Sequence, residues 1–358
     1  MIDLCIDARM AFSSGIGTCI RQLVPFFNEP PFKVILLVDQ KGQNWCDKFE
    51  QRLFSAPIYS LEEQAVFPLK IPSCDLFWSP HYNVPLLPIR AKKRIATLHD
   101  ACHLALGKTL SFSARQYAKY VMKRALHGSD AAVTDSFFSE RELIRFLGNP
   151  QRGINVIPAA VNRNAYQRIV DLQILKNIRK RYGLPEKFIL YVGNLKPHKN
   201  LSGLIQAFSE LSLSPGWGLV IVGKKAGLRN AERETSGLAI SHLENVPDED
   251  LPVLYSLAEL FVFPSFYEGF GLPPLEAMSC GCPTIVSKAT SLPEVCGDAS
   301  LYIDPANPRS ISEAIRKVVS DEKLKKSLVK SGLERVKEFN WVDTANSYRK
   351  LFEQVHYA

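Results

Sequence analysis

Residues 261–278 are F-V-F-P-S-F-Y-E-G-F-G-L-P-P-L-E-A-M, the stretch that says most about the fold. The apolar run over residues 259–264 is typical of a buried strand, and the proline pair at 273–274 is typical of a helix start. Between them, Gly269 and Gly271 predict a loop whose backbone can approach a ligand. A strand, a glycine loop and a helix in this order predict one unit of a parallel α/β sheet.

The same stretch predicts an anion site flanked by two carboxylates. The first N–H groups of a helix have no partner within it and lie at its positive end, so we expect a phosphate at Gly271 and Leu272. Glu268 on the loop and Glu276 in the helix, separated by seven residues, can then accept hydrogen bonds from hydroxyl groups. A phosphate with hydroxyls favours a nucleotide sugar. The alternative is a plain strand-to-helix connection with ordinary surface glutamates.

The composition is that of a globular α/β protein with two domains. The chain has 358 residues, of which 46% are hydrophobic and 22% are charged. Its first residues lack a signal peptide, and no apolar stretch is long enough to span a bilayer, so we expect a cytoplasmic protein. The eight cysteines are scattered apart from C-G-C at 280–282, which is a poor zinc or redox pattern, and we expect free thiols.

The net charge is +8, and part of it is concentrated in residues 111–127. Apolar residues recur there at helical spacing, while Arg115, Lys119 and Lys123 follow one another at four-residue steps, which predicts a helix with one buried and one basic face. Either this is a solvated helix that covers a sheet, or its basic face contacts anionic lipid or an acidic acceptor. No nucleic-acid recognition motif is present, so we expect no nucleic-acid partner.

Strand-like runs alternate with helical patterns along the whole chain, which predicts parallel sheets. The runs are 3–6, 33–38, 76–78, 94–98, 131–134 and 155–157, and then 188–192, 219–222, 260–263, 284–286 and 301–303. The gap between the two sets places a hinge near 160–168. We therefore expect two Rossmann-like, doubly wound domains, 1–165 and 166–338, which face each other across a ligand cleft.

Three further loops follow predicted strands and carry candidate ligand-binding residues. Gly15 and Gly17, in S-S-G-I-G-T, form half of a dinucleotide-binding fingerprint, although an ordinary turn explains them equally well. His99 is either a capped structural residue or a hydrogen-bonding group beside reactive oxygen atoms. Lys199, in the cationic loop 193–200, is either a ligand of a diphosphate or a solvated side chain.

These residues resemble those of the retaining GT-B glycosyltransferases of family 4, whose donor-domain signature is E-x7-E. Residues 268–278 match that signature closely. The resemblance continues at S-G-I-G-T (14–18), S-P-H-Y-N-V-P (79–85), L-H-D (98–100), Y-V-G-N-L-K-P-H-K-N (191–200), N-V-P-D-E-D-L (245–251) and S-L-P-E-V (291–295). It implies the GT-B fold and the transfer of a sugar from a nucleoside-diphosphate sugar to a hydroxyl acceptor with retention of anomeric configuration.

The resemblance also implies roles for individual residues. Glu268 contacts the donor sugar, and Glu276 holds the ribose hydroxyls. Lys199 pairs with the diphosphate. The remaining donor-binding residues that it implies are Gly269, Phe270, Gly271 and Leu272 in the loop before the helix, Gly15 and Gly17 in the facing loop of the N-terminal domain, and His99, a catalytic residue beside the sugar.

One position departs from the family pattern. Many members have an arginine that binds the diphosphate where this chain has Asn194. Lys196, His198 or Lys224 could supply the missing charge, or Asn194 could act as a neutral donor.

The chemistry that the resemblance favours is front-face attack without a metal or cofactor, since no protein nucleophile is evident. The acids at 248–250 formally spell a metal-binding D-x-D motif, but their place before an apolar helix predicts N-cap and first-turn residues. The 79–85 and 191–200 blocks are most similar to members that use GDP-mannose rather than UDP-sugars. The resemblance implies that the terminal segment 339–358 is a helix that crosses back to the N-terminal domain, although its pattern alone fits a plain packing helix equally well.

The same residues and the same resemblance suggest binding partners and leave alternative functions open. We expect a glycan or lipid-linked acceptor, and peripheral contact of 111–127 with the cytoplasmic face of a membrane. The alternatives are a nucleotide-sugar epimerase or a sugar phosphorylase on the same fold, and a non-catalytic protein that binds glycans or lipids.

Overall fold

The computed structural model describes residues 1–40, 44–106, 111–224 and 238–358. Contacts divide the chain into one unit of residues 1–159 with 341–358 and a second unit of residues 160–340. The sequence placed the corresponding boundaries at 165 and 338. The first boundary differs by residues 160–165, which belong to the second unit. The carbonyl of Asn162 accepts hydrogen bonds from the amides of Ala165 at 3.0 Å and Tyr166 at 2.8 Å, and the ring of Tyr166 lies 6.2 Å from that of Tyr255.

In the described part of the first unit, seven parallel strands form one sheet in the order β3-β2-β1-β4-β5-β6-β7. The strands are β1 (Ile2–Asp7), β2 (Phe32–Val38), β3 (Glu50–Leu53), β4 (Cys74–Ser79), β5 (Ala91–Thr97), β6 (Ala131–Thr134) and β7 (Asn155–Val156). The helices are α1 (Ser14–Leu23), α2 (Leu61–Lys70), α3 (Cys102–Ala105), α4 (Phe112–Gly128), α5 (Phe137–Leu147) and the C-terminal helix Trp341–Tyr357, with 3₁₀ turns at Val24–Phe27 and Asn44–Cys46. The strand order reverses between β1 and β4, the position where doubly wound sheets bind ligands.

The C-terminal helix belongs to the core of this first unit. Phe352 is fully buried, and its ring centroid lies 5.3 Å from that of Phe27 and 5.5 Å from that of Trp78. Tyr348 lies 5.0 Å from Trp78, and its hydroxyl is hydrogen-bonded to Thr97 at 3.1 Å. The last residues of the chain therefore complete a core that the first residues begin.

In the described part of the second unit, six parallel strands form one sheet in the order β10-β9-β8-β11-β12-β13. The strands are β8 (Lys187–Val192), β9 (Trp217–Val222), β10 (Ile240–Leu243), β11 (Leu260–Phe263), β12 (Thr284–Ser287) and β13 (Ser300–Ile303). The helices are α6 (Leu172–Tyr182), α7 (Leu201–Ser209), α8 (Leu251–Leu257), α9 (Leu272–Ser279), α10 (Leu292–Cys296), α11 (Pro308–Ser320) and α12 (Glu322–Arg335), and we call the C-terminal helix α13. Short 3₁₀ turns lie at Pro197–Lys199, Gly297–Ala299 and Val336–Glu338. Here the order reverses between β8 and β11.

The fold class is confirmed: both units are α/β with parallel sheets. The eleven predicted strand runs coincide with eleven of these strands, whereas β3 and β10 were not predicted. Both lie at an edge of their sheet, and all four residues of each are at least partly exposed. An edge strand has no long apolar run, because it does not need to be buried on both faces.

The amphipathic helix predicted at 111–127 is α4. Ser111 caps it by accepting a hydrogen bond from the amide of Ala114 at 3.2 Å. One face is buried through Ala118, Val121, Met122, Ala125 and Leu126, while Arg115, Lys119 and Lys123 are exposed. The predicted division into a core face and a basic face is therefore confirmed.

The interpretation of the acids at 248–250 was only half right. Asp250 occupies the N-cap position of α8, but its side chain does not cap the helix. Its Oδ2 instead accepts hydrogen bonds from Arg181 at 2.8 Å and from the Tyr182 hydroxyl at 2.6 Å, at the end of α6. The first turn of α8 contains no acidic residue. Asp250 therefore joins two helices of the second unit.

All eight cysteines are free thiols, and seven of them are buried. Burial raises the pKa of Cys296 to about 12, which keeps this thiol protonated and unreactive at neutral pH. Within the four described ranges, no helix combines the length and apolar character that a membrane span needs.

Candidate functional site

The loop that links β11 to α9 has a backbone that requires glycine at one position. Gly271, the N-cap residue of α9, has φ 121°, and a Cβ atom there would lie 2.8 Å from Leu292 Cδ2. The next residues are Leu272 and the prolines at 273–274, which have no N–H group. Of the four residues at this end of the helix, Gly271 and Leu272 therefore keep a backbone N–H group. These are the two amides that were predicted to bind phosphate.

Two residues that follow β12 hold this loop in place. The Glu268 amide donates to Thr290 Oγ1 at 3.1 Å, and the hydroxyl of the buried Ser291 contacts the carbonyls of Glu268 at 3.0 Å and of Phe270 at 2.8 Å. Sequence reasoning assigned neither Thr290 nor Ser291 to the site. The S-L-P-E-V block at 291–295 was the one signal that pointed to Ser291, and no signal pointed to Thr290.

Lys199 and Glu268 lie together as an ion pair. Lys199 Nζ is 2.6 Å from Glu268 Oε1 and 2.7 Å from Oε2, and Glu268 is only 9% exposed. Lys199 Nζ also lies 5.3 Å from the centre of the Phe263 ring. The predicted sugar contact and the predicted diphosphate contact are therefore adjacent, and their opposite charges neutralise each other.

Asn200 fixes the position of Lys199. It has φ 55° between the 3₁₀ turn Pro197–Lys199 and α7, and its Nδ2 donates to the carbonyls of Pro264 at 3.1 Å and Pro305 at 2.7 Å. A second link runs from the amide of Phe266 to the carbonyl of His198 at 2.7 Å. The cationic loop after β8 is thus tied to the acidic loop after β11.

Glu276 lies on α9 among aromatic side chains. Its Oε2 accepts a hydrogen bond from the Tyr255 hydroxyl at 3.0 Å, and Tyr166 is a second hydroxyl donor. Burial raises the pKa of the Glu276 carboxyl to about 7, against the opposite effect of the two tyrosines, while the charge of Asp248 raises it further. Sequence reasoning found Glu276 but not the tyrosines that hold it.

The other predicted residues of the second unit differ in exposure. Gly269 is buried, and the ring of Phe270 packs against Phe339 at 5.7 Å between ring centroids. The ring of Phe270 is therefore part of the protein interior. Asn194 is exposed after β8, and Lys224 is exposed after the neighbouring strand β9.

The two glycines of the first unit do not form the loop that was expected. Gly15 and Gly17 lie in the first turn of α1, which begins directly after Ser13. A Cβ atom on Gly17 would lie 2.4 Å from the carbonyl oxygen of Ala11, so this glycine lets the helix pack on the backbone of the preceding loop. Gly15 is exposed. A glycine pair is compatible with both a turn and a helix start, and the donor contact of Gly15 and Gly17 stays a prediction.

His99 follows β5 and donates hydrogen bonds from both ring nitrogens. Nδ1 lies 2.6 Å from Asp135 Oδ2, and Nε2 lies 2.9 Å from the carbonyl oxygen of Pro80. Because both partners are acceptors, the ring must carry two protons. Burial alone would lower the pKa of His99, but the Asp135 carboxylate and the two hydrogen bonds raise it to about 9. His99 is therefore an imidazolium cation at neutral pH.

Comparisons with known proteins agree with this architecture. The model of the family "Glycosyl transferases group 1" matches residues 176–335. O-antigen chain mannosyltransferase B of Escherichia coli is 36% identical over 74% of this chain and 72% of that protein. Serotype-specific mannosyltransferase WbdA of Escherichia coli is 32% identical over 71% of this chain, but the match spans only 32% of that protein's length.

A solved structure extends the comparison to the whole chain. Sucrose-phosphate synthase from Thermosynechococcus elongatus superposes with a TM-score of 0.79 over 99% of both chains at 21% identity, which shows a shared fold. The fold and the site thus define a glycosyltransferase of the GT-B class. The chain belongs to the glycosyl transferases group 1 family, as the match at 176–335 and the mannosyltransferase relatives show.

Proposed function

We propose that this protein transfers mannose from GDP-mannose to a hydroxyl group of a glycan or lipid-linked acceptor, with retention of anomeric configuration. The observation that carries the proposal is the Lys199–Glu268 ion pair, which lies in the loops beyond the carboxyl ends of β8 and β11. The choice of mannose rests on the relatives in O-antigen synthesis, which are mannosyltransferases by name.

In this proposal the bound donor separates Lys199 from Glu268, and different parts of the donor contact each side chain. The diphosphate takes Lys199, and the freed carboxylate of Glu268 accepts hydrogen bonds from sugar hydroxyls. The amides of Gly271 and Leu272 contact the diphosphate, and Glu276 accepts hydrogen bonds from the ribose. The positive charge at Lys199 and at the start of α9 offsets the negative charge of the donor. His99, as an imidazolium, remains a predicted catalytic contact to the sugar.

The proposed reaction is a front-face substitution. The acceptor oxygen attacks the anomeric carbon on the face from which the diphosphate departs, so the configuration is kept. The electron pair of the broken C–O bond goes to the leaving phosphate oxygen, and that oxygen takes the proton of the acceptor hydroxyl. Lys199 and the amides stabilise the charge that develops on the leaving group, and we propose that neither a metal nor a cofactor is required.

The decisive experiment measures donor use directly. GDP-mannose, UDP-glucose and UDP-galactose are incubated with the protein and a mannose-terminated oligosaccharide, and the product linkage is assigned by NMR. We expect an α-mannoside only with GDP-mannose, and the same rate with EDTA present. A β-linked product, or activity that EDTA abolishes and manganese restores, would refute the corresponding part of the proposal.

Variants of the ion pair separate this function from its rivals. Glu268→Ala and Lys199→Ala are each expected to lower kcat/KM by about a hundredfold or more. Glu313→Ala, at an exposed glutamate of α11, is the matched control. Epimerisation of the donor without acceptor would identify an epimerase, and unchanged transfer by Glu268→Ala would remove the site from the reaction.

We also propose that α4 places the first unit on an anionic membrane. Its exposed surface combines Arg115, Lys119 and Lys123 with Phe112, 79% exposed, and Tyr120, 56% exposed. Basic and aromatic side chains on one exposed surface are typical of interfacial helices.

The membrane proposal is tested by sedimentation with phosphatidylglycerol vesicles. Reversal of charge at Lys119 and Lys123 is expected to abolish binding. Reversal at Lys323 and Lys330, which are exposed on α12, changes the net charge equally and should leave binding intact. Equal losses in both variants would mean that only the net charge matters.

A further inference from the structure

A cluster of aromatic side chains in the first unit has no part in donor binding as described above. The rings of Tyr59 and Tyr82 are stacked, with centroids 5.7 Å apart and planes inclined by 28°. The ring of His103 meets Tyr82 edge-on at 5.6 Å. Tyr59 is 43% exposed. The pair therefore presents aromatic surface to solvent.

The backbone at Tyr59 is strained. Its φ is 69°, in the left-handed region that residues other than glycine seldom occupy. The amide of Tyr59 donates to Glu63 Oε2 at 2.7 Å. The same oxygen accepts a hydrogen bond at 2.7 Å from Nδ2 of Asn83, the residue after Tyr82. One carboxylate oxygen thus holds both segments that carry the stacked rings.

This carboxylate belongs to a buried charge network. Glu63 Oε1 accepts from Arg9 Nη2 at 2.7 Å, and Arg9 also makes two 2.7 Å bonds to Asp7. His81 contacts Asp7 at 3.1 Å. Side chains of this kind lose their hydration on folding, and buried ion pairs are often no more stabilising than apolar residues would be. Strain and buried charge together beneath an exposed ring pair are typical of a functional site.

The cluster lies where a doubly wound sheet binds ligands. Asp7 ends β1, and residues 80–83 follow β4, so the network spans the two strands between which the strand order reverses. Asp100 follows the next strand β5, and its Oδ1 accepts a hydrogen bond at 2.8 Å from the amide of Cys102, the residue before His103. The segment whose His103 ring meets Tyr82 therefore also carries a carboxylate, beyond the carboxyl end of β5.

This combination matches the chemistry of a sugar ring. A pyranose has an apolar face of C–H groups, which packs on an aromatic ring, and a rim of hydroxyls, which donate to carboxylates. We propose that the Tyr59–Tyr82 pair is the acceptor subsite, on which a sugar ring of the glycan acceptor stacks against Tyr59 with its hydroxyls toward Asp100. Glu63 acts as a positioning residue. The inference rests on the proposed glycosyltransfer and deepens it by naming the acceptor-binding residues.

The test uses an α-linked mannotriose as the acceptor probe and measures binding by NMR saturation transfer, independently of transfer. Tyr59→Ala is expected to weaken mannotriose binding by about tenfold or more and to raise the acceptor KM equally, with the KM for GDP-mannose unchanged. Tyr59→Phe keeps the ring and should retain most of the binding. Tyr357→Ala, at an exposed tyrosine of α13, is the matched control.

A second variant distinguishes loss of the Tyr59 ring from loss of the fold. Tyr59→Gly removes the same ring but accepts a positive φ, so it should melt at a higher temperature than Tyr59→Ala and bind mannotriose equally weakly. The proposal is overturned if wild-type protein does not bind mannotriose, if Tyr59→Ala binds it normally, or if the substitution weakens GDP binding instead, which would make the rings a nucleotide contact. Failure of the mannosyl transfer alone would leave the binding result standing and would count against the proposed function.

Discussion

The surroundings of Glu276 disfavour the ionised form of its carboxyl group. Its carboxyl ordinarily has a pKa of 4.5, and burial raises that pKa to about 7 in the fold. The fold thus favours the protonated form, so this contribution to the free energy of unfolding is present below about pH 4.5 and is lost as the pH rises through about 7. The ribose, in contrast, needs the ionised form as a hydrogen-bond acceptor.

We therefore predict opposite effects of Glu276→Gln on stability and donor binding. At about pH 8 the free energy of unfolding of the variant should be on the order of 1–3 kcal/mol higher than that of wild type. The difference should vanish near pH 4. GDP-mannose affinity should fall by about tenfold or more, because a charged acceptor is lost. Thermal unfolding across this pH range and calorimetric titration test both, with Glu313→Gln as the control. A variant that is less stable at pH 8 would contradict the prediction.

The pH dependence of the wild type gives a second prediction from the same group. Since protonated Glu276 is a poorer acceptor for ribose hydroxyls, the KM for the donor should rise as the pH falls below about 7. In Glu276→Gln this rise should disappear, leaving a high but constant KM. Steady-state kinetics across pH 5.5 to 8.5 measure it. An unchanged pH profile in the variant would assign the titration to another group.

His99 contributes to stability with the same pH direction as Glu276, but at higher pH. Its pKa is raised from 6.5 to about 9, so the His99–Asp135 pair stabilises the fold fully below about pH 6.5 and loses that effect as the pH rises through 9. Asp135→Asn should cost on the order of 1–3 kcal/mol at pH 6 and much less near pH 10. NMR titration of the ring should place the pKa above 8 in wild type and lower it in the variant. A wild-type value below 7 would refute the imidazolium assignment.

At the scale of the element, the start of α9 depends on Gly271. Gly271→Ala introduces a Cβ atom 2.8 Å from Leu292 at φ 121°, and we expect a loss of about 2–4 kcal/mol together with weaker donor binding. Gly183→Ala is the matched control, because its φ is also positive, at 57°, but no atom would lie within 4 Å of the new Cβ. It should cost only about 1 kcal/mol. Denaturant unfolding of both variants measures the difference, and equal losses would show that the contact with Leu292 is unimportant.

The secondary-structure elements also show which parts of the fold a local sequence pattern can predict. The strand, glycine loop and helix around 260–279 could be predicted because a buried strand, a glycine and a proline pair each signal their own conformation. β3 and β10 could not be predicted, because all four residues of each are at least partly exposed and neither strand has the apolar run that marks a buried one. The start of α1 at Ser14 could not be decided from Gly15 and Gly17, because a glycine pair suits a turn and a helix equally well. The close packing of Gly17 on the carbonyl of Ala11 is a tertiary contact.

At the scale of the whole molecule, the chain ends in the unit where it begins. Phe352 on α13 is fully buried against Phe27 and Trp78, and Phe352→Ala should cost about 3–5 kcal/mol. Val342→Ala, at a 53% exposed position of the same helix, should cost little. Hydrogen exchange should show faster exchange in β1 and β4 of Phe352→Ala, with the strands of the second unit unaffected. Equal acceleration in both units would mean that they do not unfold separately.

The sequence by itself determined the α/β class, the division into two sheets and the residues that follow each strand, because hydrophobic period, glycine and proline act over a few residues. Only the tertiary structure decided which of those residues meet. Lys199 joins Glu268 across 69 positions, His99 joins Asp135, and Glu63 holds Tyr59 beside Tyr82. These pairings, and the raised pKa values of His99 and Glu276, depend on burial and on partners brought together by packing, which a local pattern does not encode.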